Sequence, residues 1–160
     1  MHTIYISIGS NIEPRRYIKL ALVDLEQAFS DLVCSSFYES EAVGFDGDNF
    51  INAVLEAKTT DTIPQVVKTL HAIEDKHGRQ RSGPKFSSRT IDLDLLLYDD
   101  DVYVQDNIHL PRDEILINAF VLQPLAELAP QREHPIEKQS YANLWQAFDQ
   151  SSQSLWVVNL

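Results

Sequence analysis

Two aspartates, Asp92 and Asp94, are the residues whose types and spacing point most directly to chemistry. In segment 89–98 around them, apolar residues occupy alternate positions, namely Ile91, Leu93, Leu95 and Leu97. Such alternation is typical of a β-strand, so we expect the carboxylates on one face and the aliphatic side chains on the other. Adjacent carboxylates beside a core are unfavourable without a cation, and Mg²⁺ prefers oxygen ligands. The alternative is the solvated polar face of an ordinary amphipathic strand.

A basic stretch directly precedes this strand. Five of the thirteen Lys and Arg residues lie there, with no Asp or Glu among them: Lys76, Arg79, Arg81, Lys85 and Arg89. Arginine matches the oxygens of phosphate in paired contacts, although a solvated loop that balances acidic neighbours would have the same composition. The five glycines form no P-loop or dinucleotide fingerprint, so arginines and a metal would have to hold any bound phosphates. Together, the two features indicate metal-assisted phosphoryl or nucleotidyl transfer.

Length and composition limit the protein class. With 160 residues, 44% of them hydrophobic, we expect a single domain over 1–160. The net charge of −11 argues against binding to nucleic acid or to an anionic membrane, and no apolar run reaches the length of a membrane span. Cys34 is the single cysteine, which excludes an internal disulfide and a thiolate zinc site. No signal peptide is evident, so we expect a cytoplasmic protein, and we expect a monomer.

The hydrophobic pattern predicts alternating strands and helices. We predict strands at 3–8, 32–40 and 50–57, in the acidic segment 89–98, and at 102–104 and 155–158. We predict helices at 14–29, from a capping box at Thr62 to a C-cap near Gly78, at 115–128 with an interruption at Pro124, and at 141–148. Segment 41–49 reads as a loop. This β-α-β-β-α-β order followed by further helices predicts an α+β sandwich of ferredoxin-like type with an antiparallel sheet.

Several segments carry a resemblance to a known family: YISIGSN at 5–11, FINA at 50–53, GRQR at 78–81, RTIDLDLLLY at 89–98 and FVLQPLAELAP at 120–130. They resemble, in order, the 6-hydroxymethyl-7,8-dihydropterin pyrophosphokinases of folate biosynthesis. That family transfers the pyrophosphoryl group of ATP to the hydroxymethyl oxygen of the pterin and releases AMP. Two alternatives stay open: a divergent paralogue that acts on a related heterocyclic alcohol, and a pterin- or nucleotide-binding protein with weak or no turnover.

The resemblance implies a role for each residue of the acidic and basic segments. Asp92 and Asp94 would hold two Mg²⁺ ions bound with ATP, and Arg79 and Arg89 would stabilise charge on the phosphates. The other residues implied to contact ATP are Glu74, Arg81, Lys85, Leu95 and Arg112. For Glu74 the alternative on spacing alone is a surface carboxylate.

A second set of residues is implied to bind the pterin. Asn52 would read the donors and acceptors at the edge of the ring, and Phe120 would cover its flat face. Gly9, Val43 and Phe50 would line the same pocket. The alternative for Phe120 is an ordinary core position, because a lone Phe in an apolar segment is usually buried.

The sequence departs from the family pattern at two places. Phe86, Ser87 and Ser88 stand where the family commonly has Trp-Gly-Pro, so the loop lacks that backbone constraint. Arg112 and Asn118 stand where the family often has a His and an Arg, and the nearest histidine, His109, reads as a surface residue. Loss of one charged contact to the transition state costs on the order of 10²-fold in rate, so these changes predict a slower enzyme or altered loop chemistry.

Overall fold

The computed structural model describes residues 1–42, 45–78 and 90–160. The elements in chain order are β1 (His2–Ser10), α1 (Pro14–Ala28), β2 (Ser30–Cys34), β3 (Phe37–Ser40), β4 (Phe50–Thr59), α2 (Ile63–Lys76), β5 (Asp92–Tyr98), β6 (Tyr103–Gln105), β7 (Ile108–Leu110), α3 (Glu114–Ile117), α4 (Ala119–Leu128), α5 (Tyr141–Ala147) and β8 (Leu155–Val158). In the described part of the chain, no helix combines the length and the apolar character needed to cross a membrane.

The main sheet is antiparallel, with strand order β5-β1-β4-β3-β8 and with β2 also paired to β4. This confirms the predicted α+β fold of ferredoxin-like type. The predicted strand 32–40 is divided into β2 and β3, because Ser35 leaves the regular ladder and bonds the backbone of Val54. The Ser35 amide donates to the Val54 carbonyl at 2.9 Å, and the Ser35 hydroxyl accepts from the Val54 amide at 3.0 Å.

Both faces of the sheet are covered by apolar cores. Ile4, Ile6 and Ile8 of β1 pack in the core beneath α1 and α2. The intervening Tyr5 packs in a second core, which Leu122 of α4 also joins. Alternation along one strand therefore supplies two cores, as the pleat requires. A polar side chain on either face of this sheet is therefore either buried beneath a helix or exposed where no helix covers the sheet.

Helix α2 begins and ends as the sequence predicts. The Thr62 hydroxyl accepts from the Gln65 amide at 3.4 Å, and the Gln65 side chain accepts from the Thr62 amide at 2.8 Å, which completes the capping box. Gly78 follows the helix with a φ of 85°, the left-handed conformation that favours glycine.

The predicted interruption at Pro124 is wrong. Pro124 lies inside α4, and the predicted helix is instead divided at Asn118, whose extended backbone (φ −116°, ψ 119°) separates α3 from α4. The Asn118 carbonyl then accepts from the amides of Val121 and Leu122. A proline removes one hydrogen bond from a helix, and α4 continues through Pro124, which is buried.

Strand β5 contains a bulge that changes the predicted faces. Leu95 pairs with Ile6 and Leu97 pairs with Tyr5, so Leu96 is an extra residue on β5. Leu93 and Leu95 pack under α1 and α2, whereas Leu96 and Leu97 both pack in the second core. The expectation that Leu97 shares a face with Ile91, Leu93 and Leu95 is therefore wrong, because the bulge shifts the alternation by one residue.

Candidate active site

The carboxylates and the predicted pterin-binding amide lie in one row across the sheet. Asp92 of β5 pairs with Gly9 of β1, and Gly9 pairs on its other side with Asn52 of β4. Directly paired residues point to the same face, so Asp92 and Asn52 face the same side across two strand spacings, roughly 10 Å. Asp94 lies on this face one step along β5, opposite Ser7. The predicted pairing of the two aspartates on one face is correct.

Gly9 leaves the space that the Asn52 side chain occupies. A Cβ atom at position 9 would lie 2.7 Å from Oδ1 of Asn52, closer than carbon and oxygen approach without displacement. Asn52 is buried, and its Nδ2 donates to the Ser40 hydroxyl at 3.0 Å. The missing side chain of Gly9 thus sets the position of the amide, and Ser40 fixes its rotation.

Asp94 is the electrostatically strained member of the carboxylate pair. Burial raises the pKa of Asp94 to about 7, and the negative charges of Asp92, Glu74 and Glu114 add to this increase while Arg112 opposes it. The carboxyl of Asp94 therefore holds its proton to a higher pH than an ordinary aspartate does. A bound divalent cation would reverse this balance, because it favours the ionised form.

Among the described residues, Arg112 places a positive charge next to the carboxylate of Asp94. Its Nη2 lies 3.7 Å from Oδ1 of Asp94, and its Nε and Nη2 donate to the two oxygens of Glu114, each at 3.0 Å. Burial opposes the charged form of Arg112, but Asp94 and Glu114 outweigh it and raise its pKa. The Arg112 amide also donates to the Leu96 carbonyl at 3.1 Å, which ties this segment to the bulge of β5.

Glu74 is not a surface carboxylate. Its residue is only 2% exposed, and its Oε2 accepts from the Leu93 amide at 2.8 Å, between the two aspartates. The alternative drawn from its spacing is therefore wrong. Its carboxylate is directed at the backbone of β5, and its contact with ATP stays a prediction.

Phe120 lies in a cleft next to the pterin-binding candidates. The cleft has a volume of about 240 Å³ and is lined by Ser40, Glu41, Ala42, Ala119, Phe120 and residues 152–155. Ser40 joins this cleft to Asn52 through its hydroxyl and pairs with Phe50 in the ladder. The Phe50 ring meets Phe45 edge to face at 6.3 Å. Phe120 is half-buried, packs against the second core and also lines the cleft, and its contact with the pterin stays a prediction.

Comparison with known proteins identifies the family. The model of the family described as 7,8-dihydro-6-hydroxymethylpterin-pyrophosphokinase (HPPK) matches residues 5–130. The chain belongs to the HPPK family. Named 2-amino-4-hydroxy-6-hydroxymethyldihydropteridine pyrophosphokinases are similar to this HPPK chain. The protein of Aquifex aeolicus is 36% identical over 138 residues, which covers 85% of this chain and 86% of its own length. The protein of Bacillus subtilis is 35% identical, which covers 81% of this chain and 79% of its own.

Solved HPPK structures share the fold. Wild-type HPPK-DHPS of Plasmodium falciparum, solved with SDX-DHP, superposes with a TM-score of 0.66 at 12% identity and covers 91% of this chain. An HPPK-DHPS in complex with substrates superposes with a TM-score of 0.70 at 10% identity and covers 94%. The HPPK chain described here spans 43% and 44% of those two chains, respectively.

Several predicted site residues of this HPPK chain lie outside the described residues: Val43, Arg79, Arg81, Lys85 and Arg89, as do Phe86, Ser87 and Ser88. Leu95 is described, and its side chain is 4% exposed in the core beneath α1 and α2. Alternation along β5 turns the Leu95 side chain away from the carboxylate face, so a contact of Leu95 with ATP would be made by its backbone, and that contact stays a prediction.

The sequence interpretation of this HPPK chain missed two residues that hold the site together. Glu114 fixes the Arg112 guanidinium, and the Ser40 hydroxyl fixes Asn52. An oppositely charged residue two positions after Arg112 was a signal for the first. No local pattern pointed to the Ser40 hydroxyl, since its pairing depends on the register of β3 with β4. His109 lies 3.5 Å from Asp113 and is exposed, as expected for a surface residue.

Proposed function

We propose that this chain transfers the pyrophosphoryl group of ATP to the hydroxymethyl oxygen of 6-hydroxymethyl-7,8-dihydropterin. In this reaction, the hydroxymethyl oxygen forms a bond to the β-phosphorus of ATP. The bond from that phosphorus to the oxygen bridging the α-phosphate breaks, AMP leaves, and the hydroxyl proton is released. Family membership supports the reaction class, and the named relatives support the acceptor.

The row Asp92–Gly9–Asn52 is the observation that carries the proposal. It supports a phosphate-binding end at the carboxylates and a heterocycle-binding end at the amide, on one face of a rigid sheet. Two substrates held in this way react as a single unit, and orientation of this kind contributes several kcal/mol to catalysis, on the order of 7–11 in favourable cases.

The residues at the carboxylate end suit Mg²⁺ as the resident ion. Asp92 and Asp94 offer carboxylate oxygens, and the described residues contain no group of three or more His, Cys, Asp or Glu placed to hold a metal. A site with two protein carboxylates fits a cation that takes its other ligands from water and phosphate oxygens, as Mg²⁺ does. Two bound ions would neutralise charge on the phosphates and polarise the transferred group.

The remaining groups position the substrates. Asn52 would hydrogen-bond the edge of the pterin, and Phe120 would pack against its face beside the backbone of 40–42. Arg79 and Arg89 would stabilise charge that develops on the phosphates, with Arg81 and Lys85 assisting. Arg112 lies beside Asp94 and would contact a phosphate from the side of α3.

AMP release tests the proposal. The protein is incubated with ATP, Mg²⁺ and 6-hydroxymethyl-7,8-dihydropterin, and AMP and pterin pyrophosphate are measured by chromatography. We expect AMP to appear only when the pterin is present. Binding of pterin and ATP without AMP would indicate a binding protein without turnover. Failure to bind the pterin at all would overturn the proposed acceptor and favour a related heterocyclic alcohol.

A further inference from the structure

Glu74 is a carboxylate in a buried position at the end of a helix. It lies in the last turn of α2, where the helix dipole disfavours negative charge. The residue is 2% exposed, and its charge repels the carboxylate of Asp94. A carboxylate buried at the end of a helix is unusual unless specific hydrogen bonds hold it, which indicates that Glu74 serves something other than packing.

The Leu93 amide accounts for the direction of this carboxylate. Among the described strands, β5 pairs only with β1, so it is an edge of the sheet. Amides on the outer side of an edge strand lack a ladder partner. Oε2 of Glu74 accepts from the Leu93 amide at 2.8 Å and takes the place of a neighbouring strand at this residue. Leu93 is the residue between Asp92 and Asp94, so the hydrogen bond fixes the peptide segment from which both carboxylates project.

We propose that Glu74 is a positioning residue that holds the backbone of β5 so that Asp92 and Asp94 keep the spacing a divalent cation requires. The inference rests on the proposed function, because the cation is the one that accompanies ATP. It differs from a direct contact between Glu74 and the nucleotide, which the burial of the side chain and its bond to the strand disfavour. Partners that orient metal ligands in this way contribute about 10- to 100-fold to metal affinity.

Two substitutions separate the hydrogen bond from the charge. Glu74→Gln keeps an oxygen acceptor at the same distance from Leu93 and removes the charge. Glu74→Asp keeps the charge and withdraws the carboxylate by one methylene, which lengthens or breaks the bond. Positioning predicts that the Asp variant loses more cation affinity than the Gln variant, whereas a purely electrostatic role predicts the opposite order.

The experiment measures Mn²⁺ binding by electron paramagnetic resonance in the presence of α,β-methylene-ATP, which resists cleavage at the bond in question. We expect Glu74→Asp to weaken Mn²⁺ binding on the order of 10- to 100-fold and Glu74→Gln to weaken it only a few-fold. Amide hydrogen exchange is followed in the same samples. We expect the Leu93 amide to lose protection in Glu74→Asp while the Ile6 amide, on the interior strand β1, keeps it.

Ile73→Val provides the matched control. It removes one methyl from the neighbouring buried residue of α2 without touching the Leu93 bond, and we expect unchanged Mn²⁺ affinity. Equal affinity in wild type and Glu74→Asp, or a larger loss in Glu74→Gln, would overturn the positioning role. These measurements need no turnover. A wild type that binds Mn²⁺ and shows the expected order but releases no AMP would refute the proposed function and leave the role of Glu74 standing.

Discussion

The guanidinium of Arg112 is shared between two carboxylates, with its Nη2 3.7 Å from Oδ1 of Asp94 and 3.0 Å from Oε1 of Glu114. Glu114 receives both hydrogen bonds of the fork, so Arg112 is held beside Asp94 without closing on it. The chain therefore carries its own positive charge at the carboxylate pair. This arginine lies close to the position where a cation is expected.

Loss of the Arg112 charge is expected to destabilise the protein modestly and to weaken ATP binding. Arg112, Asp94 and Glu114 each keep about a third of the side chain in solvent, at 31%, 35% and 38%. We therefore expect Arg112→Gln to cost about 1 kcal/mol, near the value for exposed ion pairs and below that for buried ones. Urea unfolding and calorimetric titration with ATP measure the two effects. Arg112→Lys keeps the charge but not the fork, and an ATP affinity equal to that of the Gln variant would show that charge alone is not what matters.

Asp94 is expected to set a pH dependence of stability when divalent cations are removed. Its pKa is about 7 in the folded protein and near 3.8 when unfolded, so the folded state binds more protons between these values. Stability from this group is complete below about pH 4 and is lost as the pH rises through 7. In EDTA, Asp94→Asn should therefore have a higher Tm than wild type at pH 8. In the activity assay with Mg²⁺, the same variant should release no AMP, because it lacks a proposed ligand of the cation.

The control for this experiment is Asp101→Asn, which neutralises an exposed aspartate in the turn after β5. It should leave both Tm and AMP release nearly unchanged. A Tm of Asp94→Asn at or below that of wild type at pH 8 would contradict the strain that we assign to the ionised carboxyl. Full activity in that variant would contradict its assignment as a metal ligand.

Gly9→Ala should weaken binding of the pterin more than binding of ATP. The new methyl group would lie 2.7 Å from Oδ1 of Asn52 and displace an amide that is also held by Ser40. We expect KM for the pterin to rise on the order of tenfold, about the effect of one misplaced hydrogen bond, while KM for ATP changes little. Steady-state kinetics with each substrate varied in turn measure the split.

Gly78→Ala is the matched glycine control. The new methyl group would meet no atom of residues 1–42, 45–78 and 90–160 within 4 Å, but it places Ala at a φ of 85°, so the substitution should cost about 1 kcal/mol of stability and leave pterin binding intact. Equal effects of the two substitutions on KM for the pterin would mean that Gly9 acts through stability alone.

The capping box of α2 offers a purely structural prediction. Thr62→Ala removes the hydroxyl that accepts from the Gln65 amide and should cost about 1 kcal/mol of unfolding free energy. Because the box lies at the end of α2 opposite to Glu74, AMP release should be unaffected at temperatures where the variant is folded. A loss of activity without a loss of stability would contradict this separation.

Local sequence patterns predicted most of the helices and strands, because side chains repeat every two residues along a strand and about every 3.6 residues along a helix. The alternation of β1, the capping box at Thr62 and the glycine at 78 each reflect a requirement of the backbone itself. The misplaced break in the third predicted helix has a tertiary cause, since Pro124 is buried within α4 and Asn118 adopts the extended conformation that separates α3 from α4.

The site residues that lie close together in the sequence could be predicted from local patterns. Residues that depend on a contact with a distant part of the chain could not. Asp92 and Asp94 are close in sequence and needed only the period of a strand. Glu74 meets Leu93 from nineteen positions away, and its burial depends on how α2 packs on β5. No local pattern encodes such a contact, so the sequence alone does not distinguish a buried Glu74 from a surface carboxylate.

The bulge at Leu96 determines which face of the sheet each side chain at the end of β5 occupies. Tyr98, two positions later, faces the core of α1 and α2, and its hydroxyl donates to the Asp61 carbonyl at 2.6 Å. Regular alternation over the same number of residues would place Tyr98 on the face of Asp94, so the extra residue is what turns this ring towards α1 and α2. Loss or gain of one residue between Asp94 and Tyr98 can therefore keep both side chains on their present faces only if the bulge changes with it.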